Sequence, residues 1–202
     1  FPDRNMCLGF RGSGKTTTRT VADLVYRLLK NPNSRHLVVS KAATNAMKIL
    51  TEVKGRFTSE GFTEVFGNWR GDKWDEYMFD VRPKTSGSKE ASVTALGVES
   101  AVSMHHVERI YCDDLVDEEY ARTHTMREKI KGFAYKTLMP CLMPSTGSIT
   151  VQGTPYHHQD LYASWQENEF KGRTYLCPAL YGNEEDGWKS AWPEEFPVEW
   201  LL

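Results

Sequence analysis

The chain has 202 residues, 40% of them hydrophobic, with 25 Lys and Arg against 27 Asp and Glu and a formal net charge of −2. That length suits one α/β domain able to bury roughly 70% of its unfolded surface, and the near-neutral charge excludes a strongly basic, nucleic-acid-coating protein, so any such partner has to be held by a local patch. No apolar run approaches the roughly 18 residues of a membrane span and no signal-peptide pattern is present, so a soluble, intracellular protein without a membrane partner is expected.

The chain opens at Phe1, close to its first core strand, so upstream residues are expected, among them side chains that stack on a nucleotide base. Asn5 to Gly9 is a short apolar run that reads as a buried strand. It leads into Gly9-Phe10-Arg11-Gly12-Ser13-Gly14-Lys15-Thr16, which matches GxxxxGK[ST], the P-loop or Walker A pattern, without a mismatch. Glycines let successive backbone N–H groups converge on a phosphate tail where a Cβ would block the approach. Lys15 adds a point charge for the β- and γ-phosphates, and the Thr16 hydroxyl is a ligand for Mg²⁺. Gly9 to Thr17 is thus the candidate ATP-binding loop. Val21, Leu24, Val25, Leu28 and Leu29 follow at helical spacing, and Asn31 to Ser34 ends that helix. The positive end of its dipole then faces the phosphates.

His36 to Ser40 is a second strand, followed by a helix whose Ala43, Met47, Leu50, Val53 and Phe57 share a face. Glu60 to Trp74 reads as irregular. Tyr77 to Val81 and Ala91 to Gly97 are strand-like runs separated by a turn-rich segment and are expected to pair as an antiparallel hairpin. Arg109 to Cys112 is the next buried strand, Thr125 to Met139 reads as mostly helical, and Ser148 to Gly153 and Arg173 to Cys177 complete the strands. The alternation predicts a mainly parallel sheet with helices on both faces. From Pro178 onward the periodic pattern gives way to Gly, Glu, Pro and Trp, as in a linker leaving the domain. Cys7, Cys112, Cys141 and Cys177 are far apart in sequence and form no CxxC pair, so free buried thiols in a reducing compartment are expected.

A P-loop needs a carboxylate for Mg²⁺ at the end of a neighbouring buried strand. Arg109-Ile110-Tyr111-Cys112 ends in Asp113-Asp114, and Asp113 is the candidate, in the manner of a Walker B acid. For the carboxylate that activates water, both Asp114 and Glu118 are carried: Asp114 stands where many P-loop ATPases have Glu, and Glu118 lies a helical turn further on. Gly153-Thr154 ends a strand beside the phosphates, where a hydroxyl can sense the γ-phosphate; loop-forming chemistry explains the same residues equally well. His105-His106 and His157-His158 do not read as metal ligands, because adjacent histidines point in different directions and no further Cys or His stands at ligand spacing.

In order and spacing these pieces resemble the ATPase domain of the large terminase subunit, the DNA-packaging motor of tailed bacteriophages. The resemblance takes in the P-loop with Arg11, Val39-Ser40-Lys41, Trp74, Thr94 to Val98, Asp113-Asp114-Leu115-Val116, Gly153-Thr154-Pro155-Tyr156-His157 with Asp160-Leu161-Tyr162, and Trp192-Pro193-Glu194-Glu195-Phe196. It implies a P-loop NTPase fold of the ASCE type, with residues 1–177 as an ATPase domain truncated at its N-terminus and 178–202 as the hinge toward an RNase H-like nuclease domain, so that this stretch hydrolyses ATP without cutting DNA. It further implies ATP and Mg²⁺ as cofactors, and as partners double-stranded DNA, the portal of the procapsid, the small terminase subunit and other copies of the chain in a homo-oligomeric ring of about five, all in the host cytoplasm. Gly153 and Thr154 match the coupling motif of that family, Arg11 matches its P-loop arginine, and Arg70 is a candidate arginine finger reaching a neighbouring subunit. Arg122, Arg127, Lys129, Lys131 and Lys136 are candidate phosphate-backbone contacts, without base readout. Two other readings share the P-loop and the acidic strand: another nucleic-acid ATPase such as a helicase or remodeller, and a nucleotide-binding switch that does not hydrolyse.

Overall fold

The computed structural model describes residues 3–98, 100 and 105–202. Phe1 and Pro2, where the expected domain begins, lie outside the described residues. The parallel strands β1 (Asp3–Gly9), β2 (His36–Ser40), β5 (Val93–Gly97), β6 (Arg109–Asp113), β7 (Ser148–Gly153) and β8 (Thr174–Cys177) form one sheet with β3 (Arg70–Trp74) and β4 (Met78–Val81) at one edge. The order is β3-β4-β5-β2-β6-β7-β1-β8, with β3, β4 and β5 joined antiparallel and all other pairs parallel. The expected hairpin is present as β4 and β5, with Met78 opposite Thr94 and Phe79 opposite Val93.

Strand side chains alternate between two apolar layers, as period-two geometry requires. Leu37 and Val39 face one layer with Met6, Leu8, Ile110, Cys112, Ile149 and Val151, and that layer is closed by α4 (Glu118–Arg122), α5 (His124–Phe133) and α6 (Leu161–Glu167). Val38, Ala95 and Tyr111 face the other, closed by α1 (Ala22–Lys30) and α2 (Ala43–Thr58). The face of α2 is turned from the predicted one: Ala46, Ile49, Leu50, Val53 and Phe57 are buried, and Met47 is partly so. The first turn of the P-loop helix, Thr16–Val21, is π-helical and runs straight into α1.

Glu60 to Trp74 is not irregular. It holds α3 (Glu60–Phe66) and β3. No residue of α3 is buried, and its periodicity is weak; Phe62 is fixed instead by ring contacts with Phe57 at 5.2 Å and Trp69 at 6.0 Å, and Gly67, at φ 77°, ends the helix. Such tertiary anchoring is invisible to a local pattern. Residues 178–202 include β9 (Leu180–Asn183), β10 (Gly187–Ser190) and α7 (Val198–Leu201), with the two strands paired antiparallel. None of those residues is buried. The segment returns to the body through Phe196, whose ring packs edge-on against Phe10 at 5.2 Å.

The four cysteines are free, but Cys7 and Cys177, 170 residues apart, meet across β1 and β8 with sulfurs 3.7 Å apart. His157 and His158 do not diverge as expected. Their rings stack at 4.3 Å, and the His157 Nδ1 accepts a hydrogen bond from the Gln159 N–H. Among the described residues no group of three or more His, Cys, Asp or Glu is arranged to hold a metal, and no helix is long and apolar enough to cross a membrane.

Candidate functional site

The carboxyl ends of β1, β7, β6 and β2 lie side by side, since Leu8 is opposite Gly153, Gln152 opposite Asp113, and Asp113 opposite Ser40. In a parallel sheet this edge is where ligands bind. The loop that leaves β1 is built to turn there. Gly12 and Gly14 have φ of 82° and 72°, values an L side chain rarely adopts. At Gly12 a Cβ would also stand 2.7 Å from the Phe196 ring. Lys15 is buried, and its ammonium donates to the carbonyls of Gly9 at 3.2 Å and Phe10 at 2.8 Å, which fixes it under the loop.

A cavity of about 540 Å³ opens above this loop, lined by Arg11 to Thr17 and by Lys41, Asn45, Asp114, Val116, Asp117 and Tyr156. A second polar cleft of about 430 Å³, beside α1 at Asn5, Arg19, Asp23 and Arg109, includes none of the loop glycines. The first cavity alone of the two brings the loop glycines together with Lys15 and Thr16.

The Thr16 hydroxyl donates to Asp113 Oδ1 at 3.2 Å, joining loop and acidic strand across 97 residues. Asp113 is 4% exposed, and its buried Oδ2 has no hydrogen-bond partner among the described residues. Burial and the neighbouring Asp114 carboxylate push the Asp113 pKa up to about 6, against the pull of the Thr16 hydroxyl, the Gln152 amide and the Lys15 charge. A buried, crowded carboxylate with an unused oxygen beside a hydroxyl fits a hard, oxygen-seeking cation such as Mg²⁺.

Asp114 is exposed to the cavity, and its backbone has φ 46°, in the left-handed region that Asp tolerates better than Glu. The protein around it raises its pKa, with Lys15, Arg11 and the Thr154 N–H acting the other way. Glu118 begins α4, is exposed, and does not line the cavity. Asp117, one residue earlier, does line it, caps α4 by accepting from the Tyr120 N–H at 3.1 Å, and binds Lys41. Sequence reasoning assigns no role to Asp117, nor to Lys41 beyond its place in the Val39-Ser40-Lys41 stretch. Lys41 directly follows β2 at the same sheet edge, and that position is the signal that finds it.

Thr154 donates its hydroxyl proton to the Gly9 carbonyl at 2.9 Å. Gly153 is a glycine because Tyr162 lies over it: a Cβ there would be 2.4 Å from the ring's Cζ and hydroxyl oxygen. Arg11 hydrogen-bonds the Tyr156 hydroxyl and stands over its ring at 5.8 Å. Arg70 is not brought to this site. It starts β3 at the sheet edge, with five strands between it and β1, and lies over Trp74 at 5.8 Å. Of the five basic residues after the acidic strand, Arg122, Lys129 and Lys136 are exposed, Lys131 is partly buried and pairs with Glu128 at 3.1 Å, and Arg127 is buried and donates to the Ala121 carbonyl at 2.7 Å.

The fold that carries this site is found in solved structures. The Thermus phage P74-26 large terminase ATPase domain superposes with a TM-score of 0.53 at 17% identity, covering 76% of this chain and 60% of that one. The chain has the fold of that ATPase domain. An arginine-to-alanine mutant of the same domain superposes with a TM-score of 0.58 at 14% identity, over 88% of this chain and 76% of that one. No family model matches the chain. No curated protein matches it by sequence. The shared fold is the eight-stranded, mostly parallel sheet between helical layers, with its antiparallel hairpin.

Proposed function

We propose that the chain is the ATPase domain of a phage DNA-packaging motor, which hydrolyses ATP to drive double-stranded DNA into a procapsid. The observation that carries this reading is the hydrogen bond from Thr16, which lines the cavity together with Lys15 and Asp114, to the buried Asp113. The loop N–H groups and Lys15 bind the phosphates, Thr16 and Asp113 hold Mg²⁺, and Mg²⁺ supplies charge neutralisation for the leaving phosphates. Asp114, facing the cavity with a raised pKa, orients the attacking water and takes its proton. Arg11 lines the cavity, and its guanidinium supplies charge for phosphate oxygens there. Thr154, bonded to Gly9, passes a change at the phosphates to the end of β7.

On this reading the region up to residue 177 is the ATPase body and 178–202 is a linker toward a further domain. Copies of the chain form a ring on the portal, which lets Arg70, remote from its own loop, serve as an arginine finger in a neighbour's site. The exposed Arg122 and Lys136 suit phosphate-backbone contacts with salt-sensitive, sequence-independent binding. The small terminase subunit and the host cytoplasm belong to the same reading. Phosphate release from ATP, measured with and without double-stranded DNA in wild type and Lys15→Ala, tests it. Turnover that Lys15→Ala abolishes is expected; equal turnover in the two proteins refutes the reading.

A further inference from the structure

Lys41 lines the same cavity as the glycine loop, with its backbone N–H donating to the Asp114 carbonyl at 3.3 Å. Its ammonium is held by Asp117 and by Glu119, the latter at 2.6 Å. An ammonium has three N–H donors, and these two carboxylates take two of them. The hydrogen bonds to Asp117 and then Glu119 hold Lys41 firmly in its charged form. As a structural device the cluster is poorly made. Lys41 and Asp117 are each about 30% exposed and Glu119 is 64% exposed, and such pairs add little stability. The cluster also leaves an excess acid beside Asp114 at the rim of a site for a polyanion. That excess has a use if the cation is shared with the ligand.

We infer that Lys41 is a sensor of the terminal phosphate, binding it in competition with Asp117 and Glu119. The inference rests on the nucleotide reading above. A γ-phosphate in the cavity draws the ammonium toward it, which loosens the hold on Asp117. Because Asp117 also caps α4, the presence of the terminal phosphate is reported to the helix that follows the acidic strand. ADP lacks the group Lys41 would bind. The ATP-to-ADP preference of the site is therefore set in part by this lysine, which contributes nothing to recognition of the base or the inner phosphates.

The test compares dissociation constants of ADP and of a non-hydrolysable ATP analogue with Mg²⁺, by calorimetry, in wild type, Lys41→Met, Asp117→Asn and the double variant. Asn caps a helix as well as Asp does, so Asp117→Asn keeps α4. Lys41→Met is expected to weaken the analogue about tenfold or more, the worth of one charge-assisted hydrogen bond, with ADP changed less than twofold. Asp117→Asn frees the lysine and is expected to tighten the analogue, a gain that vanishes in the double variant. Parallel shifts for both nucleotides, no shift in Lys41→Met, or a gain that survives in the double variant would overturn the sensor. Wild-type protein that binds neither nucleotide would instead remove the nucleotide reading and the sensor with it.

Discussion

The Thr154 hydroxyl and the Gly9 carbonyl, 145 residues apart in the chain, are joined by a 2.9 Å hydrogen bond. The end of β7 and the entrance of the phosphate loop therefore move together or break this bond. Thr154→Val keeps the side-chain shape and removes the donor. With about 1 kcal/mol as the net worth of such a bond, kcat for ATP is expected to fall roughly fivefold while nucleotide affinity changes less. Steady-state turnover together with a binding titration checks the split; an unchanged kcat assigns Thr154 to loop architecture alone.

Asp114 and Glu118 make opposite predictions. Asn is at least as comfortable as Asp at φ 46°, so Asp114→Asn is expected to fold and to bind ATP, yet to lose turnover by about 10² or more as the proton acceptor disappears. Glu118→Gln, on the exposed start of α4, is expected to leave turnover within about twofold. Single-turnover phosphate release distinguishes them, and a dead Glu118→Gln beside an active Asp114→Asn would reverse the assignment.

Gly153→Ala drives a methyl into the fully buried Tyr162, whose hydroxyl accepts the Val116 N–H at 3.2 Å. Overpacking of this kind costs about 1–3 kcal/mol, and for a chain of this size Tm falls by about 2–4 °C per kcal/mol. Thermal unfolding followed by circular dichroism reads the loss. A variant as stable as wild type would mean that Tyr162 yields easily.

His36 gives a pH signature. The ring is 2% exposed and shares a 2.7 Å hydrogen bond with the Ser34 hydroxyl; burial, with Arg109 adding, lowers its pKa to about 3. The unfolded chain takes up this proton near pH ~6.5. Between those values the unfolded state binds a proton that the folded state refuses, so the His36 contribution to stability is lost as pH falls from about 6.5 toward 3, by at most ~1.4 kcal/mol per pH unit. In urea unfolding at pH 7, 6 and 5, His36→Gln is expected to show a shallower decline than wild type. Parallel declines would place the titration elsewhere.

Much of this molecule is written locally. The P-loop, the alternation of Leu37, Val38 and Val39, and the acidic end of β6 each obey a short-range rule, which is why the sheet, the hairpin and the Thr16 and Asp113 pair follow from spacing. The remainder depends on partners distant in sequence. The short α3 exists through the ring contacts of Phe62, Phe57 and Trp69. That Asp117, and not Glu118, lines the cavity turns on how one short helix is set, and no pattern of five residues reports that. Lys41 joins the cavity only because β2 lies next to β6, a matter of strand order.

Phe196 rests on the tip of the phosphate loop, against Phe10 and in the space left by Gly12, and it is flanked by Trp192 at 6.0 Å and Trp200 at 5.7 Å. Two indole fluorophores thus stand one ring away from the loop. Any ligand that reshapes the loop alters the surroundings of these rings, so the emission of the unlabelled protein is itself an optical gauge of loop occupancy, which Phe196→Ala would disconnect.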